Sequence, residues 1–297
     1  MKKFIILIPL YNDWQSVFKL LEKIDLQINS WDAKIDVVIV NDASTEVRPD
    51  LSSNLKKIKQ IKILNMKQNR VHQRCIAAGL KYICANEDFD HIVVMDADGE
   101  DRPEELNDFY KITQDQPEIT VTANRFKRSE GIIFRFLYEV HKLITLIFTG
   151  KLIKFGNFTC LTKAHAHQLI KKADLWNSYS SSVIKTINHR IYIPSTRGIR
   201  YVLPSKINFF GLVFHSLTII SVFRIEVIIR SIIFLLTYFF LVMFLGINIL
   251  FPYPIFILLA FVLTILKISM RSNKEGLDKS LENIDSVDIL LSSNSGQ

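Results

Sequence analysis

The stretch HIVVMDADGED, residues 91–101, decides the fold. Its first half, through Met95, is a short apolar run of the kind that forms a strand buried on both faces. Its second half opens a run of seven acids within 13 residues: Asp96, Asp98, Glu100, Asp101, Glu104, Glu105 and Asp108. Asp96, Asp98 and Glu100 alternate, and near a strand end alternation sets their carboxylates on one side. Carboxylates gathered in this way repel one another and need a cation. Hard oxygen ligands suit Mg2+ or Mn2+, which would neutralise a diphosphate. The next acids are expected to start a helix, with Asp101 as its N-cap, Pro103 in the first turn, and Glu104 and Glu105 facing the macrodipole.

Upstream, three further strands are expected. Phe4 to Ile8 is a continuous apolar run ended by Pro9, and Ile35–Val40 and Ile61–Leu64 repeat the pattern. Between the first two, apolar residues recur at Val17, Leu20, Leu21, Ile24 and Ile28, the one-face spacing of a helix; a second helix is expected near Gln73 to Ala85. Strands alternating with helices imply a mainly parallel α/β sheet covered on both sides. Ligands of such sheets bind beyond the carboxyl ends of the strands. Those ends carry YND, NDAS, NMKQNR and DADGED, so every one holds acids, amides or cations. No glycine-rich dinucleotide turn or phosphate loop is present.

The rest of the chain is of another kind. Ser231 to Leu266 is 36 residues without a charge, longer than one helix needs to cross a ~30 Å hydrocarbon core. Phe251-Pro252-Tyr253-Pro254 interrupts it, which implies a hairpin of two transmembrane helices, near 228–250 and 254–270. Arg224 and Arg230 at the entrance, with Lys267, Arg271 and Lys274 at the exit, put both ends and the catalytic domain in the cytoplasm. The uncharged Ile207–Phe223 run, broken by Asn208, His215 and Ser216, is expected to lie in the membrane interface. The apolar N-terminus reads as the first strand, since no cleavage site follows it. The domain expectation is thus 1–205 catalytic, 206–227 interfacial helices, 228–271 two transmembrane helices and 272–297 a disordered polar tail.

Charge follows the same division. Residues 1–124 carry a net −4, 125–230 a net +13 and 231–297 a net −1, which together give the chain's +8. A basic block beside a membrane segment points to anionic lipid or a phosphorylated substrate, and no RNA-binding or zinc-finger pattern argues for nucleic acid. Three cysteines with no CxxC pair exclude a disulfide framework. His165 and His167, two apart on a helix, are expected to face solvent and not a metal.

In order, the motifs IPLYND, VVIVNDAST, NRVHQRCIAAGL and VVMDADGEDRPEEL resemble glycosyltransferase family 2. With two C-terminal membrane helices the chain is similar to its polyprenyl-phosphate branch, the dolichyl-phosphate mannose synthase type. The resemblance, over roughly 3–205, implies a GT-A-like fold and transfer of a sugar from a UDP- or GDP-linked donor to a polyprenyl phosphate by metal-assisted single displacement. It implies that Pro9, Tyr11, Asp13, Asp42 and Asn69 bind the nucleotide. Asp96 and Asp98 would flank the donor diphosphate, with Asp98 and Glu100 at the metal.

Three departures bear on the acceptor. Val71 stands where the family has glycine, Asn157 replaces the aspartate of a Gly-Asp-Phe motif, and the late Arg-x-x-Gly-x-Ser-Lys-Tyr stretch is reduced to Arg197-Gly198-Ile199-Arg200-Tyr201. A hydroxyl acceptor needs a general base, whereas a lipid phosphate, with a second pKa near ~6, is already anionic at neutral pH. Asn157 therefore favours the phosphate. Arg125, which follows a strand end ahead of Lys127 and Arg128, is expected to hold that phosphate with Arg197 and Arg200. Two other functions stay open on the sequence: transfer to a glycan or lipid-linked saccharide hydroxyl, and a non-catalytic membrane-anchored scaffold.

Overall fold

The computed structural model describes residues 1–51, 55–127, 132–202, 209–245 and 252–292. In chain order the elements are β1 (Lys2–Leu10), α1 (Trp14–Gln27), β2 (Ala33–Asn41), β3 (Ile58–Met66), α2 (His72–Asn86), β4 (His91–Val94), α3 (Leu106–Asp115), β5 (Thr120–Lys127) and α4 (Ile132–Thr149). There follow β6 (Thr159–Thr162), α5 (Lys163–Leu169), α6 (Tyr179–Thr186), β7 (Arg190–Thr196), α7 (Phe209–Ser221), α8 (Arg224–Leu245), α9 (Pro252–Ser269), α10 (Lys274–Asp278) and β8 (Ile284–Ser292). They form two units. The first comprises residues 1–129, 154–204 and 274–297; the second comprises 130–153 and 205–273.

The first unit is built on one eight-stranded sheet in the order β7-β5-β6-β4-β1-β2-β3-β8. Strands β4, β1, β2 and β3 run parallel as the alternation implies, and β5 pairs parallel with β7. Two strands depart from the pattern: β6 is antiparallel to β4 and β5, and β8 is antiparallel to β3. Strand β1 is buried from Phe4 to Leu10, which explains its unbroken apolar run. On α1, Val17, Leu20, Leu21, Ile24 and Ile28 all enter the core as the spacing predicts. The buried Asp25 of that helix is not idle, for its carboxylate accepts the backbone N–H groups of Lys56, Lys57 and Ile58 at 2.8–2.9 Å and so starts β3. Register brings Leu10, Asn41 and Asn65 side by side, which lines up the ends of β1, β2 and β3.

Two of the domain expectations are corrected here. Of the tail from 272, residues 272–292 are described and are not disordered: they form α10 and β8, and Leu290 and Leu291 pack against the main core. The pairing partner that makes β8 a strand, β3, lies more than 200 residues earlier. Residues 130–153 leave the catalytic unit, because Ile144 and Phe148 of α4 pack with Ile220, Val227 and Ile265 of α7, α8 and α9. The two histidines also differ from expectation. His165 Nδ1 lies 2.8 Å from Thr120 Oγ1 and His167 stacks on Phe89, so each is half-buried against a partner.

In the second unit, two helices are long and apolar enough to cross a membrane. Arg224–Phe244 has a mean hydropathy of 2.4, and the helix opening at Pro252 reaches 2.1. Only 11% and 17% of those apolar windows are buried, so most of their side chains face outward. A hairpin in the core of a soluble protein would be enclosed. The turn at Phe251, the start of the interfacial segment at 206–208 and Arg128 lie outside the described residues.

Candidate active site

The strand ends form two groups of different character. At the ends of β1, β2 and β3 the polar groups are mostly amides and hydroxyls, with the carboxylates of Asp13 and Asp42 and the cations of Lys67 and Arg70 among them. Asp42 is 3% exposed, and its two oxygens accept the backbone N–H groups of Arg70 at 2.7 Å and Val71 at 2.9 Å. Its carboxylate is therefore committed to the loop between β3 and α2. Asn69 is exposed and its Oδ1 also accepts from Val71 N, at 3.2 Å. Pro9 is buried in β1, Tyr11 is exposed just beyond it, and Asp13 is half-buried ahead of α1. Asn12 Oδ1 accepts from Thr45 N at 2.8 Å and from Glu46 N at 3.1 Å, tying the β1 end to the β2 end.

Backbone conformation singles out the same places. Among the described residues the non-glycine positions with positive φ are Asn12 (49°), Ala43 (55°) and Val71 (70°), which follow β1, β2 and β3. At φ 70° and ψ 153°, Val71 keeps a backbone that only glycine adopts without strain. Residues held in this way cluster at binding sites, where the surroundings over-determine them.

The end of β4 is a charged cluster. Asp96 Oδ1 accepts from Asn157 Nδ2 at 3.0 Å and lies 3.0 Å from His72 Nε2. Burial opposes its ionisation, but His72, Asn157 and Arg125 outweigh burial and hold the carboxyl well below its usual range. His72 is the reciprocal case: burial works against its charge, and Asp96, then Asp98 and Asp101, raise it above its ordinary value. Asn157 Oδ1 accepts in turn from Gln73 Nε2 at 3.2 Å, and Gln73 Oε1 accepts from Tyr179 N at 2.6 Å.

Asp98 is pushed up to about 6 by burial, Asp96 and Glu100, although its Oδ2 pairs with Arg200 Nη2 at 2.8 Å. Arg197 Nη2 donates to Glu100 Oε1 at 2.6 Å. The reduced 197–201 stretch is also pinned by its backbone, since Gly198 N donates to Glu100 O at 2.8 Å and Tyr201 N to Asp98 O at 2.9 Å. Gly99, at φ 86°, has the Tyr201 ring where a Cβ would stand, so both conformation and space require glycine there.

Asp101 corrects an expectation. It does not cap the helix after it; Arg102 occupies that place and Pro103 the first position. Instead Asp101 Oδ2 accepts from Asp96 N at 2.9 Å and Oδ1 pairs with Arg125 Nη2 at 3.1 Å. Burial and Asp96 push it up to about 7. Arg125, its side chain 14% exposed, is the partner of this buried acid. Thus Asp96, Asp98, Glu100, Arg125, Asn157, Arg197 and Arg200 are brought together. His72, Gln73 and Asp101 join them without having been singled out. The histidine directly follows the departure at Val71, which was its only signal.

Comparison with known proteins agrees with this architecture. The mannosyltransferase PcManGT from Pyrobaculum calidifontis, solved with GDP-Man and Mn2+, superposes with a TM-score of 0.53 at 16% identity, covering 91% of this chain and 73% of its own. Glucosyl-3-phosphoglycerate synthase from Mycobacterium tuberculosis, solved with Mn2+ and UDP, gives 0.52 at 11% identity over 76% and 80%. These likenesses establish the GT-A-like fold. In sequence, the undecaprenyl-phosphate 4-deoxy-4-formamido-L-arabinose transferase of Serratia proteamaculans (strain 568) is 24% identical over 178 residues, 57% of this chain and 51% of that one. The Yersinia enterocolitica enzyme of the same name is 22% identical over 172 residues. The chain spans about half the length of these relatives. The model of Glycosyl transferase family 2 matches residues 5–177, from β1 through the acid cluster to Asn157 and beyond, and the chain belongs to that family.

Proposed function

We propose that this protein is a membrane-anchored glycosyltransferase that moves a sugar from a nucleotide-sugar donor, UDP- or GDP-linked, to a polyprenyl phosphate in a single displacement. The observation that carries the acceptor is Asn157. The polar position facing Asp96 holds an amide that donates to that carboxylate, and Asp96 itself is kept ionised by His72. An amide cannot take a proton, so the arrangement suits a nucleophile that needs no base, and a phosphate monoester is mostly anionic at neutral pH. The relatives named above, undecaprenyl-phosphate sugar transferases, support the same class.

Asp98 and Glu100 fit a divalent cation by their chemistry: two hard carboxylates converge where guanidinium groups already gather. Among the described residues no three-ligand cluster is preassembled, which suits Mg2+ or Mn2+ held by one or two carboxylates and completed by substrate phosphates. Such a cation would supply charge neutralisation for the departing diphosphate. The protein's residues do the rest. Asp42 and Asn69 hold the loop that, with Pro9, Tyr11 and Asp13, frames the nucleotide. Arg197 and Arg200 take the acceptor phosphate; in the free protein the same guanidinium groups rest on Glu100 and Asp98. Arg125 serves at one remove by neutralising Asp101. A phosphate oxygen then forms the new bond to the anomeric carbon, and the nucleoside diphosphate departs with the electron pair of the broken one.

The hairpin of α8 and α9 spans the membrane, with the catalytic unit on the cytoplasmic face. Basic residues flank both its ends. The chain before it supplies β7 and the chain after it supplies β8 of one sheet, so both ends must emerge on the same side. Incubation with UDP- and GDP-sugars, Mn2+ and a short polyprenyl phosphate, followed by mass spectrometry, tests the reading. A glycosyl phospholipid abolished by EDTA is expected. Sugar appearing only on a glycan hydroxyl, or no turnover with any donor, would replace it with one of the two other functions.

A further inference from the structure

The loop that Asp42 holds is an unusual thing to leave to one carboxylate. Lys67, Gln68 and Asn69 are exposed, and Val71 closes the loop in a strained conformation. Strain persists only where neighbouring structure over-determines it. The neighbours here come from 215 to 221 residues away in sequence. Lys67 N donates to Asn283 O at 2.7 Å, Lys67 Nζ to Glu282 O at 2.9 Å, and Asn283 Nδ2 to Gln68 O at 3.2 Å. Ser286 Oγ accepts from Asn65 Nδ2 at 3.0 Å.

From Ser286 a chain of hydrogen bonds runs across all three strand ends. Asn65 Oδ1 accepts from Asn41 Nδ2 at 2.9 Å, Asn41 Oδ1 from Ser44 N at 3.1 Å, and Ser44 Oγ from Asn12 N at 2.9 Å. Each amide has both its donor and its acceptor engaged, so the orientation of one fixes the next. The positive-φ residue Asn12 lies at the far end of this chain. Lys81 of α2 secures the incoming segment by donating to Leu277 O and Asp278 O at 3.0 Å. The Arg48–Asp288 pair is exposed on both sides and adds little.

We infer that the segment Asn283–Ser286, beyond the apolar hairpin, is a positioning element of the donor site, fixing the β3–α2 loop through Asn283 and the ends of β1, β2 and β3 through Ser286. The inference rests on reading those strand ends as the nucleotide end of the site. It makes the hairpin an insertion within the catalytic unit and not an appendage to it, since the donor site is incomplete until the chain has returned from α9.

The test uses the full chain in detergent with two readouts. Amide hydrogen exchange over Lys67–Val71 needs no ligand; calorimetry with UDP and with GDP, each with Mn2+, measures donor affinity. Asn283→Ala is expected to speed exchange in the loop, Ser286→Ala to speed it at the Asn12 and Ser44 amides beyond the strand ends, and each to weaken binding of whichever nucleotide binds by about 2- to 10-fold, the effect of one neutral hydrogen bond. Exchange in β1 and β4 should stay at the wild-type rate. Ser286→Thr, which keeps the hydroxyl, should restore both readouts, and Asp288→Ala, which breaks the exposed pair with Arg48 outside the segment, should change neither. Unchanged exchange over Lys67–Val71 in Asn283→Ala, or at Asn12 and Ser44 in Ser286→Ala, would overturn the inference, as would failure of the threonine to rescue or faster exchange with unaltered nucleotide affinity. If the wild type binds neither UDP nor GDP, the proposed function falls, while the exchange experiment still decides whether the segment braces the loop.

Discussion

The two ends of the site solve opposite problems with opposite chemistry. At the ends of β1, β2 and β3, neutral amides and hydroxyls are satisfied by one another and by backbone, and the buried acid, Asp42, accepts two N–H groups. At the end of β4, Asp96, Asp98, Glu100 and Asp101 crowd together, and His72, Arg125, Arg197 and Arg200 answer them. The first end is complete as it stands and can hold a ligand by shape. The second is a balance of charges in which a cation or an anionic ligand must exchange partners with groups already paired. Site rigidity thus belongs to the neutral end and chemistry to the charged one.

The largest expected effect breaks the charged end at its centre. Asp98→Asn preserves size and removes a hard anionic ligand, so transfer should be abolished with the thermal midpoint kept or raised. Wild-type turnover in that variant, or full activity in EDTA, would show that the acids are not a metal site. Arg125→Ala should act on the fold instead, because it strands Asp101 in a buried position. A loss of about 3–5 kcal/mol is expected by denaturant titration, partly recovered in the double variant with Asp101→Asn. An Arg125→Ala protein of unchanged stability would return that arginine to the open role expected from sequence.

The neutral end gives smaller effects of the other sign. Val71→Gly relieves a conformation costing about 1–3 kcal/mol, against which glycine loses roughly 0.5–1 kcal/mol of chain entropy. Val71 is 54% exposed, so little packing is lost. Stability should rise slightly, by urea titration, with nucleotide affinity unchanged; a destabilised variant would mean that the loop is not strained. Away from both ends, burial holds the His91 imidazole below its ordinary value of 6.5. A depressed pKa contributes stability that is present above 6.5 and is lost as pH falls below it. The thermal midpoint of His91→Gln should therefore fall less than that of wild type between pH 7.5 and 5.5.

Much of this was legible in the residues. The strands β1 to β4, the helices α1 and α2 and the apolar hairpin follow from local periodicity, which depends on neighbours in sequence. The acid cluster was legible for the same reason. What escaped notice depends on distant partners. Asp101 has the composition of a helix cap, and only Arg125, 24 residues on, turns it into a buried ion pair. His72 gains its role from Asp96, 24 residues away and on another element. Strand β8, although five of its nine residues are apolar, is joined to the sheet only through β3, a partner more than 200 positions earlier. The antiparallel entry of β6 likewise depends on where the chain returns after α4, which spacing does not encode.

The proposed division of labour is tested most directly by Arg200→Ala, measured for donor and acceptor separately. Loss of a charged hydrogen bond to phosphate is worth roughly 1.5–3 kcal/mol, or about 10- to 150-fold. The account predicts a fall of that size in kcat/KM for a short polyprenyl phosphate, while calorimetric affinity for the nucleotide, with Mn2+ present, stays within about twofold. Donor affinity and acceptor response falling in parallel would contradict it, and would place Arg200 on the diphosphate or in the fold.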